Sequence, residues 1–276
     1  MKRSFVHLLD RPGLRNALAR LGTLYARRFS PDAEIMHNGE LWLHKSNGYW
    51  LPDGTRFEYT KDTLADDVSG RSFRDVADIW FFAYEPKAGD TIIDVGAGQG
   101  EDLLPMAKAV GLTGRVVAIE AHPNSFKWLA AMVKHNHLAQ VQTINAAVMD
   151  VACEVKIEDT DTWVGNRISE DGAFSVRGVT LDDLCADFPR IDFLKMNIEG
   201  AERLAIRGAR ETMRRVVNVC IACHDFRSRR GDVGDFETRE EVIDFLHANG
   251  FSTRTRADDP RDYVRDYVYG YKEELH

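Results

Sequence analysis

The sequence predicts an α/β fold, Rossmann-like and doubly wound. It comprises a seven-stranded, mostly parallel sheet with an antiparallel last strand, preceded by a helical and β-meander appendage. Three observations predict this. From Asp90 onward, short apolar runs alternate with helical patterns, as expected for βαβ units. One run, Thr91-Ile92-Ile93-Asp94-Val95, breaks into Gly96-Ala97-Gly98-Gln99-Gly100 and then a helix-like segment, residues 101–110. Glycine at alternate positions before a helix lets backbone approach a nucleotide-like ligand closely. The next run, Val116-Val117-Ala118-Ile119-Glu120, also closes on an acid, placed to accept hydrogen bonds from both ribose hydroxyls.

Residues 1–30 read as one or two amphipathic helices, with Phe5, Leu8 and Leu9, then Leu14, Leu18, Leu21 and Leu24 at three- and four-residue spacing. Leu41-Trp42-Leu43-His44, Tyr49-Trp50-Leu51 and Arg56-Phe57-Glu58-Tyr59 are short strands separated by Ser46-Asn47-Gly48 and Pro52-Asp53-Gly54, a small meander. A helical pattern resumes over residues 63–84, with Val76, Ile79, Trp80 and Ala83 on one face. Residues 1–85 therefore form an appendage expected to cover the ligand site, and residues 86–276 the ligand-binding domain. Within the latter, strands are expected at 91–94, 115–120, 140–144, 191–196 and 216–222, and a helix starts at Pro123 and reaches His135. Residues 146–148 and 154–157 suggest a hairpin, and 159–172 a polar, glycine-containing loop. Residues 240–249 form a helix closed by Gly250, and 251–256 with 263–269 a final antiparallel pair.

With 276 residues, 44% hydrophobic and 29% charged, the chain can bury a sizeable core. A net charge of -8 and the lack of a long basic block speak against a nucleic-acid partner. Arg227-Ser228-Arg229-Arg230 is either a solvated loop or a cluster that steers an anionic or sugar substrate. No segment has the length of a membrane span, and Arg11, Arg15 and Arg20 interrupt the apolar start, so a cytoplasmic location is the expectation. Cys153, Cys185, Cys220 and Cys223 are too few and scattered for a disulfide scaffold. Cys220-Ile221-Ala222-Cys223-His224 spells a haem-attachment pattern, but it continues the apolar run from Val216, so both cysteines are expected to be small core residues.

A dinucleotide site calls for G-x-G-x-x-G. Here the pattern is Asp94-x-Gly96-x-Gly98-x-Gly100, which resembles the first motif of S-adenosyl-L-methionine-dependent methyltransferases, whose cofactor carries no phosphate. The alternative is a glycine turn that only joins strand to helix. Further on stand Val179-Thr180-Leu181-Asp182-Asp183-Leu184, then Ile191-Asp192-Phe193-Leu194-Lys195-Met196-Asn197-Ile198-Glu199-Gly200-Ala201-Glu202, then Arg207-Gly208-Ala209. This order resembles the FkbM family of methyltransferases, with T-L-D, D-x-L-K-I-D-V-E-G-A-E and R-G-A, over roughly residues 90–225. The resemblance implies a class I methyltransferase fold and S-adenosyl-L-methionine as cofactor. Asp94, Gly96, Ala97, Gly98, Gly100, Glu120, Ala121, Ala146 and Asn197 are the expected cofactor residues. It further implies O-methylation of a sugar or natural-product hydroxyl. The leading acceptor is a carbohydrate, in its narrowest form a mannoside, and the alternative a polyketide or similar small molecule. A non-catalytic cofactor-binding module is the reading from another class. The sequence leaves the oligomeric state open, a homo-oligomer included.

Where the family has Asp after the apolar part of the fourth parallel strand, this chain has Asn197, which keeps the hydrogen-bonding shape without the charge. Asn197, Glu199, His224 and Asp225 all fall at strand carboxyl ends, where open α/β sheets bind ligands. Methyl transfer needs the acceptor oxygen aligned with the sulfonium methyl and its proton removed. His224 is the candidate base, oriented by Asp225, or else a strand-end histidine that caps a carbonyl. Glu199 either holds a substrate hydroxyl or caps the following helix. Asn197, Glu199 and Asp225 together offer a partial oxygen cage for Mg²⁺. Trp42, Tyr49, Trp50, Tyr59 and Trp163 are either platforms for sugar rings or, for Trp42 and Trp50, the core of the meander.

Overall fold

The computed structural model describes residues 10–59, 68–159, 168–232 and 234–273. It opens with helix α1 (Arg15–Ala26) and an antiparallel meander of β1 (Glu34–His37), β2 (Trp42–Ser46) and β3 (Tyr49–Gly54). The leucine stripe expected on α1 divides. Leu18, Gly22 and Ala26, four apart, face Ala33, Ile35, Trp42 and Phe57, whereas Leu14, Leu21 and Leu24 face outward. Gly22 admits this packing, because a Cβ there would lie 2.8 Å from the Phe57 ring. Trp42 is fully buried edge-on to Phe57 and donates its indole N–H to Asp10 at 2.9 Å, so it is core rather than platform. Phe5, Leu8 and Leu9 lie outside the described residues.

Helix α2 (Val68–Asp75) runs into a π turn, Val76–Trp80, closed by the Phe81 N–H on the Val76 carbonyl at 2.9 Å. Val76, Ile79 and Trp80 are buried as patterned, but the helix stops at Trp80, not at Tyr84. The wider turn leaves Trp80 stacked on Tyr267, with ring centroids 5.1 Å apart.

The rest alternates: β4 (Thr91–Val95), α3 (Leu103–Val110), β5 (Arg115–Glu120), α4 (Pro123–His135), β6 (Val141–Asn145), β7 (Ala147–Val148), β8 (Cys153–Ile157), β9 (Phe174–Val179), α5 (Leu181–Leu184) and β10 (Ile191–Met196). Then follow α6 (Glu202–Arg207), α7 (Arg210–Met213), β11 (Val216–Ala222), α8 (Asp225–Arg229), α9 (Arg239–Ala248), β12 (Ser252–Arg254), α10 (Asp262–Arg265) and β13 (Tyr267–Tyr271). The main sheet has seven strands in the order β12-β13-β11-β10-β4-β5-β6, and β13 alone runs against the direction of the other six. The chain winds outward from β4 through β5 to β6, then returns to β10 on the other side. A crevice therefore opens at the carboxyl ends of β4 and β10, the switch point of the topology.

The hairpin expected between 146–148 and 154–157 does not form. β9 lies between β7 and β8, parallel to the first and antiparallel to the second. Gly178 on β9 makes the close approach feasible, since a Cβ there would meet Cys153 Sγ at 2.8 Å. The meander rests on α4: Leu41 and Leu43 pack with Ala131 and Trp128, and Asn136 bonds both the N–H and the carbonyl of Trp50 at 2.8 Å. Among the described residues no helix is long and apolar enough to cross a membrane.

Candidate active site

A cleft of about 830 Å³, its open mouth included, lies at the carboxyl ends of β4, β5 and β10. Gly96, Gly98, Glu120, Ala121, Ala146 and Asn197 line it, whereas Asp94, Ala97 and Gly100 stand behind it. All its lining comes from residues 95–201; Leu51 and Pro52 of the meander face a smaller groove with Gln99, Glu101 and Trp128. Trp163 and most of the polar loop, residues 160–167, lie outside the described residues.

Asp94 acts beneath the glycine turn. It pairs at 2.8 Å with Lys195 of β10, which is 1% exposed. Lys195 also donates to the Gly96 carbonyl at 2.9 Å, lies 3.8 Å from Asp102 and stands 4.9 Å over the Trp80 ring. Burial opposes its charge, but Asp94 and Asp102 outweigh burial and hold the ammonium above its usual range. The sequence reading passed over Lys195. Its signal was a lysine inside a strand buried at every position, which requires an acidic partner.

Glu120 is 8% exposed and fixed by two amides: Gly98 N–H donates to Oε2 and His122 N–H to Oε1, each at 2.8 Å. Burial pushes its carboxyl up to about 7, against the pull of those amides. Gly96 has φ +77°, and a Cβ on it would sit 1.9 Å from the Asn197 carbonyl oxygen, so the turn admits only glycine. Asn197 Oδ1, on the wall of the cleft, is buried without a hydrogen-bond partner among the described residues. Such an acceptor suits a ligand donor.

Opposite stands a charged group. Glu199 holds a left-handed backbone, φ 54°, unusual for a residue with a side chain and frequent where function requires it. Its Oε1 lies 3.2 Å from His224 Nε2, and Arg227 donates to its Oε2 at 2.7 Å. His224 Nδ1 is 3.0 Å from Glu202, which is fully buried and also accepts from the Thr238 hydroxyl at 3.1 Å. Burial disfavours a charged imidazole, but hydrogen bonds to Glu199 and Glu202 overcome it and raise His224 to about 10. Burial would likewise raise Glu199, yet His224 and Arg227 hold it below the usual carboxylate range. Asp225 turns away and accepts the Thr238 and Arg239 amides at 3.2 and 3.1 Å, capping α9.

The expected Mg²⁺ cage does not fit these side chains. Glu199 is engaged by His224 and Arg227, and Asp225 by backbone amides. Among the described residues no group of three or more His, Cys, Asp or Glu is arranged to hold a metal. The arginine cluster is paired: Arg227 with Glu199 and Asp232, Arg229 with Asp266, Arg230 with Asp262. Cys220 and Cys223 are fully buried, as expected of core residues.

The methyltransferase FkbM domain matches residues 94–253, more than half of the chain. A tRNA (adenine(57)-N(1)/adenine(58)-N(1))-methyltransferase, TrmI, of Methanocaldococcus jannaschii is 26% identical over 143 residues, 52% of this chain and 47% of that protein. The chain thus spans about half the length of this curated relative. Among solved structures, methyltransferase FkbM from Methylobacillus flagellatus KT aligns with a TM-score of 0.49 at 16% identity, covering 75% of this chain and 56% of that one. Aeropyrum pernix fibrillarin, in complex with S-adenosyl-L-methionine, aligns with 0.45 at 14% identity, covering 87% and 98%. By the domain match and the residues that carry it, the chain belongs to the FkbM methyltransferase family.

Proposed function

We propose that the chain is an S-adenosyl-L-methionine-dependent O-methyltransferase acting on a hydroxyl of a carbohydrate. The observation that carries this reading is Glu120, a buried carboxylate at a strand end, fixed by two amides and open to the cleft. Each oxygen keeps a lone pair for one ribose hydroxyl. The turn at residues 96–98 leaves room for the methionyl part, and Asn197 Oδ1 accepts a hydrogen bond from its ammonium group.

In the reaction the acceptor oxygen forms a bond to the methyl carbon while the carbon–sulfur bond breaks. The electron pair stays on sulfur, and the oxygen loses its proton. In this reading Glu199 accepts a hydrogen bond from the acceptor hydroxyl and passes its proton to water. His224 holds Glu199 in place. As an imidazolium bonded through both nitrogens it has no lone pair for a proton, so the base role expected of it moves to Glu199. Alignment supplies more of the rate than base strength, because the sulfonium is already a strong methyl donor. Glu199, an acid on the cleft wall, suits the hydroxyls of a sugar better than an apolar polyketide. No step is assigned to Mg²⁺, since of its candidate ligands Glu199 is held by His224 and Arg227 and Asp225 by backbone amides.

Incubation with radiolabelled S-adenosyl-L-methionine, glycan and polyketide acceptor panels, with and without EDTA, tests this. Label on glycans, undiminished by EDTA, is the expected result. Label on apolar acceptors alone would refute the carbohydrate, and loss in EDTA restored by Mg²⁺ would refute the metal-free reading. Cofactor binding with no transfer to any acceptor would leave a binding module instead.

A further inference from the structure

Helix α1 has an outer face that the cofactor site does not use. Leu14 is 43% exposed, Leu21 64%, Leu24 65% and Tyr25 39%. These are four of the seven large hydrophobic side chains exposed among the described residues. They share one side of the helix, because Leu14 and Leu21 are seven apart and Leu24 and Tyr25 follow at three and four. Leu18, Gly22 and Ala26, on the adjoining side of the helix, are the residues buried against the meander, so among the described residues the stripe is not the face by which α1 packs on its own domain.

The charge around the stripe has the opposite sign to that of the molecule. Residues 11–28 contain Arg11, Arg15, Arg20, Arg27 and Arg28 and no acid, in a chain of net charge -8. Arg20 and Arg27, seven apart, border the stripe beside Leu24, and Arg28 continues it beyond Leu21. Arg15 is paired with Asp10, and Arg27 lies 3.9 Å from Glu34. Arg11, Arg20 and Arg28 are exposed and have no ion-pair partner among the described residues.

We propose that α1 is a peripheral docking surface for an anionic lipid bilayer. An apolar stripe edged by arginines, with long stems that lie along the acyl boundary while guanidinium heads meet phosphates, has the chemistry of an interfacial helix. At 12 residues α1 is too short to span a bilayer and lies in its plane. Charge complementarity selects lipid over a second copy, since two copies meeting through this face would bring their arginines together. Docking would hold the enzyme at a surface where acceptors carried on lipid are concentrated. It does not depend on which acceptor the cleft takes.

The test is co-sedimentation of the full chain with vesicles of two-thirds phosphatidylcholine and one-third phosphatidylglycerol, against vesicles of phosphatidylcholine alone. The expected result is pelleting with the anionic vesicles only, weakened by salt. Arg20→Glu with Arg28→Glu should weaken it about thirtyfold or more, and Arg20→Lys with Arg28→Lys should keep it. Leu21→Glu with Leu24→Glu should abolish it. Unchanged calorimetric affinity for S-adenosylhomocysteine in each variant shows that the fold is intact. No pelleting of the wild type, equal pelleting with neutral vesicles, or pelleting indifferent to both variants would overturn the proposal. So would a wild-type dimer in sedimentation velocity that Leu21→Glu with Leu24→Glu dissolves while lipid binding is absent.

Discussion

At the scale of single residues, the two ends of the cleft carry opposite electrostatic settings. Glu120 has its carboxyl raised to about 7, chiefly by burial. Ribose hydroxyls donate to the ionised form, so below about pH 7 cofactor binding must first expel a proton. Affinity for S-adenosylhomocysteine should fall roughly tenfold per pH unit below about 7 and level off above it. Glu120→Gln, which cannot ionise, should bind more weakly with no such slope, and an identical slope in that variant would assign it to another group. His224 is set the other way, raised to about 10 by its two carboxylates once they overcome burial. Its contribution to stability is therefore fully present up to the usual imidazole range and lost as pH rises through about 10. His224→Gln leaves Glu199 and Glu202 without the cation between them, and should cost about 3–5 kcal/mol in chemical denaturation. It should also lower turnover more than it lowers cofactor affinity. A wild-type turnover profile with a limb near pH 6.5 that vanishes in the variant would restore His224 as the base. The place of Glu120, at the end of a buried strand and on the cleft wall, was readable because the apolar run before it closes on that acid. The charged state of His224 was not, because Glu202 lies 22 residues away and only the fold brings it to 3.0 Å.

At the scale of elements, the glycine turn and the strand beside it constrain each other. The Gly96 position is filled on the far side by the Asn197 carbonyl, and Lys195 ties the Gly96 carbonyl from below. Gly96→Ala should therefore shift backbone at both strand ends, costing about 1–3 kcal/mol in the thermal or denaturant midpoint and weakening cofactor binding at least tenfold. Normal stability and affinity in that variant would mean that the turn relaxes freely. The parallel strands of the main sheet were predictable, since each is a short apolar run between helical patterns. The three-stranded β7-β9-β8 sheet was not. Pairing β7 with β8 is the local choice, and its replacement by β9 depends on Gly178 lying against Cys153 across a long connection. The π turn at Val76–Trp80 also escaped prediction, because its apolar spacing is that of an ordinary helix.

At the scale of the whole molecule, the meander rests on α4, and Asn136 is a polar link between them. Its side chain satisfies both backbone groups of Trp50, so Asn136→Ala should leave them unpaired and destabilise the chain by about 1–3 kcal/mol, seen in denaturant unfolding. Hydrogen exchange should show that loss concentrated in β2 and β3. Protection unchanged there would mean that the apolar contacts of Leu41 and Leu43 suffice. That a helix and meander would precede the sheet could be read from hydrophobic spacing and turn residues. Which surface they would cover could not, since Leu41, Leu43 and Trp50 identify an apolar face without its partner. The claim on which the whole account turns is that the cleft takes a nucleoside whose ribose sits on Glu120. Calorimetric titration of S-adenosylhomocysteine into the wild type and into Glu120→Ala at neutral pH tests it most directly. The account predicts saturable binding to the wild type, weaker by about 1.5–3 kcal/mol, or ten- to a hundredfold, in a folded Glu120→Ala. Equal affinity in the two proteins, or preference of the wild type for NADH, would contradict it.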